Sequence, residues 1–307
     1  MELFRALAVL TEPPGRPGAA RVAEALGLGA LPEASEYTDT FVFRLYPYAS
    51  VYLGAEGMMG GEARDRVAGF LAALGQQPPA EPDHLALMLG TYARLAEAEE
   101  NEPDAQRREY LRGARRAFLW EHLLSWLPVY LDKLAEAAPP FYRRWGELLR
   151  AALDADAEAL GSQESLPLHL REAPVLADPR APSSEDKPAS PSEARHTSSS
   201  DEFLRTLLAP ARSGMIIVRD DLARVARTLG VGLRAGERLY ALRSLVGQDA
   251  AGVLARLAEE AERWRELHLR RRAAHGQVAD WWAARATSSA RLLRELSADA
   301  GDALKTV

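Results

Sequence analysis

Apolar residues return at every third or fourth position along most of this chain, a spacing that leaves little room for any element but the α-helix. ARVAEALGLG (20–29) carries Val22, Leu26 and Leu28 behind PGRPG, a natural helix start. EASEYTDTFVFRL (33–45) sets Tyr37, Phe41 and Leu45 four apart on one face. GGEARDRVAGFLAALG (60–75) offers Val67, Phe70, Leu71 and Leu74, with Gly75 as a stop. HLALMLGTYARLAEAEE (84–100) repeats Leu85, Leu89 and Tyr92 before turning polar. The longest run, 103–138, aligns Leu119, Leu123, Trp126, Leu127, Tyr130 and Leu134, and Pro128 inside it predicts a kink. One more helix is expected over 139–160. Helical patterning returns over 201–210, 218–230, 235–246, 249–274 and 275–300. No stretch alternates with the two-residue period of a strand, and no fixed repeat marks a solenoid. The fold class expected is all-α, a helical bundle.

The pattern lapses in EAPVLADPRAPSSEDKPASPSEARHTSSS (172–200), where proline, serine and charge replace large apolar residues. Such a segment buries too little to offset its ordering entropy. The expected organisation is therefore a domain over 1–165, a flexible linker over 166–200 and a C-terminal helical extension over 201–307. The absence of cysteine excludes disulfides, thiolate zinc sites and a cysteine nucleophile. MELFRALAVLTEPPGRPG is too short and too interrupted for a secretory signal or a membrane span, so a cytoplasmic location without membrane insertion is expected. Residues 1–200 hold 20 Lys and Arg against 30 Asp and Glu, net −10, and the remainder carries net +4. An acidic front half repels nucleic acid and favours cationic partners at close range.

Catalytic patterns are missing. GAEGMMGG (54–61) lacks the lysine and hydroxyl of a phosphate loop and follows no strand. Glu81 and His84 stand three apart, and Glu121 and His122 are adjacent, but no HExxH or recurring ExxH pair supplies the three or four ligands of a zinc or iron site. No GxSxG elbow is present, and Ser50 in PYASVYLG reads as a cap or turn hydroxyl. The expectation is a binding protein with no catalytic residues, no metal and no cofactor. DDLARVARTLGVGLRAGERLYAL (220–242) has a faint helix-turn-helix outline, yet Gly236 and Glu237 stand where the second helix needs an apolar residue. A helical regulator or nucleic-acid-associated protein acting through the basic C-terminal helices is the alternative class.

EPDHLALML (81–89) places Pro82, Asp83 and His84 at the start of an apolar run. The local reading is that Asp83 caps the first turn of the following helix, leaving His84 partly exposed beside it. A capped helix start beside aromatic residues is also a place to hold an extended peptide.

Taken in order, EYTDTFVFRLYPYASVYLGAEGMMGGEARDRVAGFLAALG (36–75), EPDHLALMLGTYARLAEAE (81–99) and RAFLWEHLLSWLPVYLDKLAEAAPPFYRRWGELL (116–149) resemble the TorD/DmsD/NarJ family of molybdoenzyme maturation chaperones. The resemblance rests on Tyr37 and Phe41, then Tyr48, Ser50 and Tyr52, then Pro82, Asp83 and His84, then Phe118, His122, Leu123 and Trp126. It implies a cytoplasmic all-α chaperone that binds the apo catalytic subunit of a molybdopterin oxidoreductase, in many members through its twin-arginine leader peptide, before cofactor insertion and export. Helix exchange between protomers occurs in the family, so a homodimer is allowed.

A twin-arginine leader pairs two cations with an apolar stretch, so its receptor needs carboxylates beside an aromatic groove. The residues expected to supply them are Tyr48, Ser50, Tyr52, Glu81, Pro82, Asp83, His84, Trp120, Glu121, His122 and Trp126. Arg115 and Arg116 would oppose such a ligand if they faced the groove. HLRRRAAHG (268–276) reads either as a solvated basic helix face or as an internal mimic of a leader.

Overall fold

The computed structural model describes residues 2–163, 165–180 and 199–305, and among them all regular structure is helical. The helices are α1 (Glu2–Val9), α2 (Ala19–Ala25), α3 (Ala34–Tyr37), α4 (Ala49–Leu53), α5 (Gly61–Ala73), α6 (Leu85–Asn101), α7 (Ala105–Ala117), α8 (Leu127–Ala137), α9 (Pro140–Leu160) and α10 (Leu168–Glu172). They are followed by α11 (Ser199–Leu207), α12 (Pro210–Ser213), α13 (Arg219–Leu229), α14 (Arg238–Gln248), α15 (Ala250–Arg270) and α16 (Arg272–Lys305). α3 and α7 each run on into a π-helical turn, Thr38–Arg44 and Phe118–Leu123. The chain divides into two compact units, one of residues 1–54, 58–172 and 267–281, the other of residues 55–57, 173–266 and 282–307.

In the first unit α6 packs against α1 and α7, α8 against α9, and α9 against α1. Their shared core is aromatic: Phe41, Tyr92, Phe118, Trp126, Tyr130, Tyr142 and Trp145 are fully buried. Phe41 meets the Tyr142 ring edge-on at 4.7 Å, and Trp145 Nε1 donates to Leu7 O at 3.1 Å. Buried ring NH and OH groups need partners: Trp126, Tyr130 and Trp145 have found backbone carbonyls, and Tyr92 OH donates to Asp156 Oδ2 at 2.6 Å. The run expected as one kinked helix over 103–138 is instead two. The π-turn ends at Leu123, Trp126 leaves helical geometry at φ −140°, and α8 starts afresh with Pro128 in its first turn. Proline lacks an N–H that a first turn has no use for, so it is tolerated there and starts the helix instead of bending one.

The second unit buries the run Met215–Ile216–Ile217–Val218 between α12 and α13, together with Trp264 and Trp282. Gly214 makes this possible. Its φ is +75°, and a Cβ there would lie 2.3 Å from Ala286 N, so neither the backbone conformation nor the space admits a side chain.

Within the tract expected as a linker, residues 166–180 carry α10, with Leu170 and Leu176 buried. Pro174 O and Ala173 O accept from Arg285. Residues 181–198 lie outside the described residues. No helix among the described residues is long and apolar enough to cross a membrane.

Candidate functional site

Two segments far apart in sequence clasp each other in the first unit. YPYAS (46–50) and EPDHL (81–85) run antiparallel at a single β-bridge between Tyr48 and His84. Leu85 N donates to Pro47 O at 2.8 Å and Ala49 N to Asp83 O at 3.1 Å. The two prolines suit this contact, since each holds its neighbours extended without needing a ladder donor.

Asp83 sits at the centre of the clasp. It is 1% exposed, and its Oδ2 accepts from Ser50 N at 3.1 Å, in the first turn of α4. It therefore caps α4 across the clasp and not its own helix. The cap of α6 is His84, whose Nδ1 accepts from Ala86 N at 3.2 Å. Burial pushes the imidazole below its ordinary value despite the opposing pull of Glu12, Glu81 and Asp83. His84 is thus neutral near pH 7, and with Nδ1 accepting, its proton is on Nε2.

The outer side of the clasp holds Tyr48, Glu81 and His84. Tyr48 OH donates to Glu81 Oε2 at 3.0 Å, and its ring meets the His84 imidazole edge-on at 4.9 Å. Burial, then the Glu81 bond and its charge, pushes the Tyr48 phenol up to about 12. Pro82 is buried, while Glu81 is exposed and Tyr48 and His84 are half-buried. Glu12, paired with Arg16 at 2.9 Å, adds another carboxylate that acts on His84. Leu71 of α5 and Ala86, Leu87 and Gly90 of α6 line an open groove of about 570 Å³ with a mixed wall that includes Gln76, Thr91, Arg5 and Arg94.

The inner side is core. Ser50 is fully buried, its Oγ accepting from Gly60 N at 3.1 Å. Tyr52 donates to Tyr46 O at 2.9 Å and stacks on Trp126 at 5.2 Å with an 11° interplanar angle. Trp126 is 0% exposed, so its ring offers no surface to a ligand, and its Nε1 donates to His122 O at 2.8 Å.

Trp120, Glu121 and His122 form a separate group on the second π-turn. Trp120 is buried and donates to Gly161 O at 3.0 Å. His122 lies against Phe70 and Phe118, its ring 5.1 and 5.2 Å from theirs. Burial and then the Arg66 charge lower its pKa to about 4. Glu121 is half-buried, with its carboxyl pushed up by burial. Among the described residues no hydrogen bond, ion pair or ring contact joins Glu121 or His122 to Glu81 or His84. By their contacts the expected residues fall into the clasp around Asp83 and His84, the buried Tyr52–Trp126 stack, and the second π-turn, whose His122 O accepts from Trp126 Nε1.

Arg115 and Arg116 are engaged internally. Arg115 binds Glu99 at 3.0 Å and Asp156 at 2.6 Å, and Arg116 donates to Ser162 O. In the second unit Arg219 donates to Gly236 O and Arg234 O, Arg238 to Ile217 O, and Arg243 to Asp201. No group of three or more His, Asp or Glu side chains converges as a metal site among the described residues. Sequence reading missed Glu12, which faces His84 from the loop after α1, and Asp132, an acid in the apolar stripe LPVYLDKL.

These features define the class: an all-helical domain organised around a clasp of two proline-aromatic segments. Residues 19–132 match the family model described as the nitrate reductase delta subunit, so this part of the chain is similar to that family. The chain is 34% identical over 112 residues to the "Chaperone protein TorD" of Vibrio vulnificus, covering 34% of this chain and 52% of that protein. It is 37% identical over 112 residues to the protein of the same name in Vibrio cholerae, covering 34% and 50%. Identity to that of Photobacterium profundum is 30% over 123 residues, covering 38% and 57%. The chain thus spans about half the length of the curated relatives it matches. No solved structure matches it.

Proposed function

We propose that this chain is a maturation chaperone that binds the apo catalytic subunit of a molybdopterin oxidoreductase, in the cytoplasm and before export, and that it works by binding without turnover. The relatives named as TorD chaperones support the general reading. The observation that carries the finer one is the Tyr48–Glu81–His84 surface of the clasp. It presents an exposed carboxylate, a phenol and a neutral imidazole just ahead of Ala86 and Leu87, which line a groove along α6. A peptide with a cationic pair followed by an apolar stretch matches that order: arginine to Glu81 and Glu12, apolar residues along α6. Charge-assisted contacts give direction and apolar burial gives affinity. Asp83 supports the surface from beneath, because the bridge it caps holds Tyr48 against His84.

Co-purification of the wild-type chain with an apo molybdoenzyme subunit from its own cell tests the general reading, and the absence of any such subunit overturns it. Calorimetry with a peptide of paired arginines and an apolar tail tests the finer one. Glu81→Gln and His84→Ala are expected to weaken binding with helicity unchanged, and unaltered affinity in both variants removes the clasp from the site.

A further inference from the structure

The arginine run 270–272 lies at the junction of α15 and α16, and residues 267–281 belong to the same compact unit as α8 and α9. Arg271 makes a two-pronged contact with Asp132 of α8: Nε donates to Oδ2 at 2.7 Å and Nη2 to Oδ1. Four residues on, His275 Nε2 lies 2.9 Å from Asp154 Oδ1 on α9. Gly276 follows with φ +48°, breaking the helix just past these contacts. A planar fork matched to a carboxylate is the geometry that selects guanidinium over ammonium.

The contact is crowded. Arg150 of α9 also reaches Asp132 Oδ1, at 3.1 Å, so two arginines share one carboxylate that is only 8% exposed. Two nitrogens here are buried without a hydrogen-bond partner, Arg150 Nη1 beside the shared carboxylate and Nδ1 of His275, which is only 3% exposed. Withdrawing Arg271 would not strand Asp132, since Arg150 remains to pair with it. The large penalty for an orphaned buried charge is therefore absent, and one guanidinium can be exchanged for another at small cost.

We propose that Asp132, supported by Asp154, is an arginine-binding site of this chaperone, that Arg271 is its resident ligand supplied by the chain itself, and that an arginine of the client displaces it. The proposal rests on the reading of the chain as a chaperone for a cationic client segment. It assigns that segment a second anchoring point besides the clasp, and it gives the C-terminal region a role: the tip at 267–281 holds the site closed until an arginine-bearing partner competes for it.

The test uses the full chain and a synthetic peptide of paired arginines followed by apolar residues, with a lysine-pair peptide as control. If the tip occupies the site nine-tenths of the time, apparent affinity is reduced about tenfold. Arg271→Ala is therefore expected to bind the arginine peptide about tenfold tighter than wild type, with little gain for the lysine peptide. Arg271→Lys, which keeps the charge and loses the fork, should show most of the gain. Adding Asp132→Asn to Arg271→Ala should abolish it, with circular dichroism confirming that the double variant is folded. If that variant does not fold, a peptide of residues 266–278 added in trans to Arg271→Ala should compete with the client peptide. Equal affinity of wild type and Arg271→Ala, or a gain shared by the lysine peptide, overturns the inference. Co-purification of a molybdoenzyme subunit with wild type reports separately on the chaperone reading, so either can fail alone.

Discussion

Asp83 Oδ2 accepts a hydrogen bond from Ser50 N at 3.1 Å, joining residues 33 positions apart, and both are sealed from solvent. One buried carboxylate thus holds the first turn of α4 and, through the adjoining bridge, the entrance to α6.

Asp83→Asn keeps the shape and loses the charge, so the cap weakens without a cavity. The expected loss is about 1–2 kcal/mol, the upper range for a helix cap with a charged acceptor. Asp83→Ala should cost more, because Ser50 N is then buried without a partner. Urea denaturation measures both, and a cost near zero for Asp83→Ala would show that the clasp does not depend on this contact.

Trp126→Ala should destabilise the first unit by about 3–5 kcal/mol, as for other large core truncations. The ring is fully buried and stacked on Tyr52. A stable variant with impaired client binding would instead make Trp126 a contact residue.

Glu81→Gln should lower the Tyr48 phenol from about 12 toward its ordinary value without reaching it. Burial is the larger cause of the shift and remains, while the charge of the accepting group is removed. Difference absorbance between wild type and Glu81→Gln above pH 9 reads this directly. Stability should change by less than about 1 kcal/mol, as for exposed polar pairs.

Acid should weaken the first unit through two histidines. Burial and then the Arg66 charge lower His122 to about 4, and His169 to about 3, with His122 adding to the effect on the latter. Both pKa values are depressed in the folded state, so the unfolded chain takes up these protons first. The contribution is complete above about pH 6.5 and is lost as pH falls toward 4. For His122, which is almost fully buried, this amounts to roughly 3 kcal/mol. Denaturation midpoints from pH 7 to 4.5 should fall less steeply in His122→Phe than in wild type. Parallel slopes would contradict the assignment.

Helix content was legible in the sequence because burial of one face imposes a period that survives without any tertiary knowledge. The clasp was legible only as two separate motifs. EPDH looks like an aspartate capping the helix that follows it, since sequence offers only the nearest helix start. In the folded chain Asp83 has a second start within reach, that of α4, and the buried amide of Ser50 takes it while His84 serves α6. Pro128 misled for a related reason. A proline in an apolar stripe reads as a kink, and only the departure of Trp126 from helical angles reveals that a new helix begins there. Trp120 and His122 stand close to Trp126 in sequence, but on the π-turn His122 packs against Phe70 and Phe118, and Trp120 reaches Gly161 O. Arg271 was hidden in a run of three arginines, where nothing local distinguishes the one that finds a buried acid.

The discontinuity of the first unit has a consequence for how the molecule is made. Asp132 and Asp154 leave the ribosome more than a hundred residues ahead of Arg271 and His275. A nascent chain therefore passes through a stage in which every helix from α1 to α9 exists while these last two acids still await their final partners. During that interval Asp132 has Arg150 but not yet the fork of Arg271, and Asp154 has no imidazole against it.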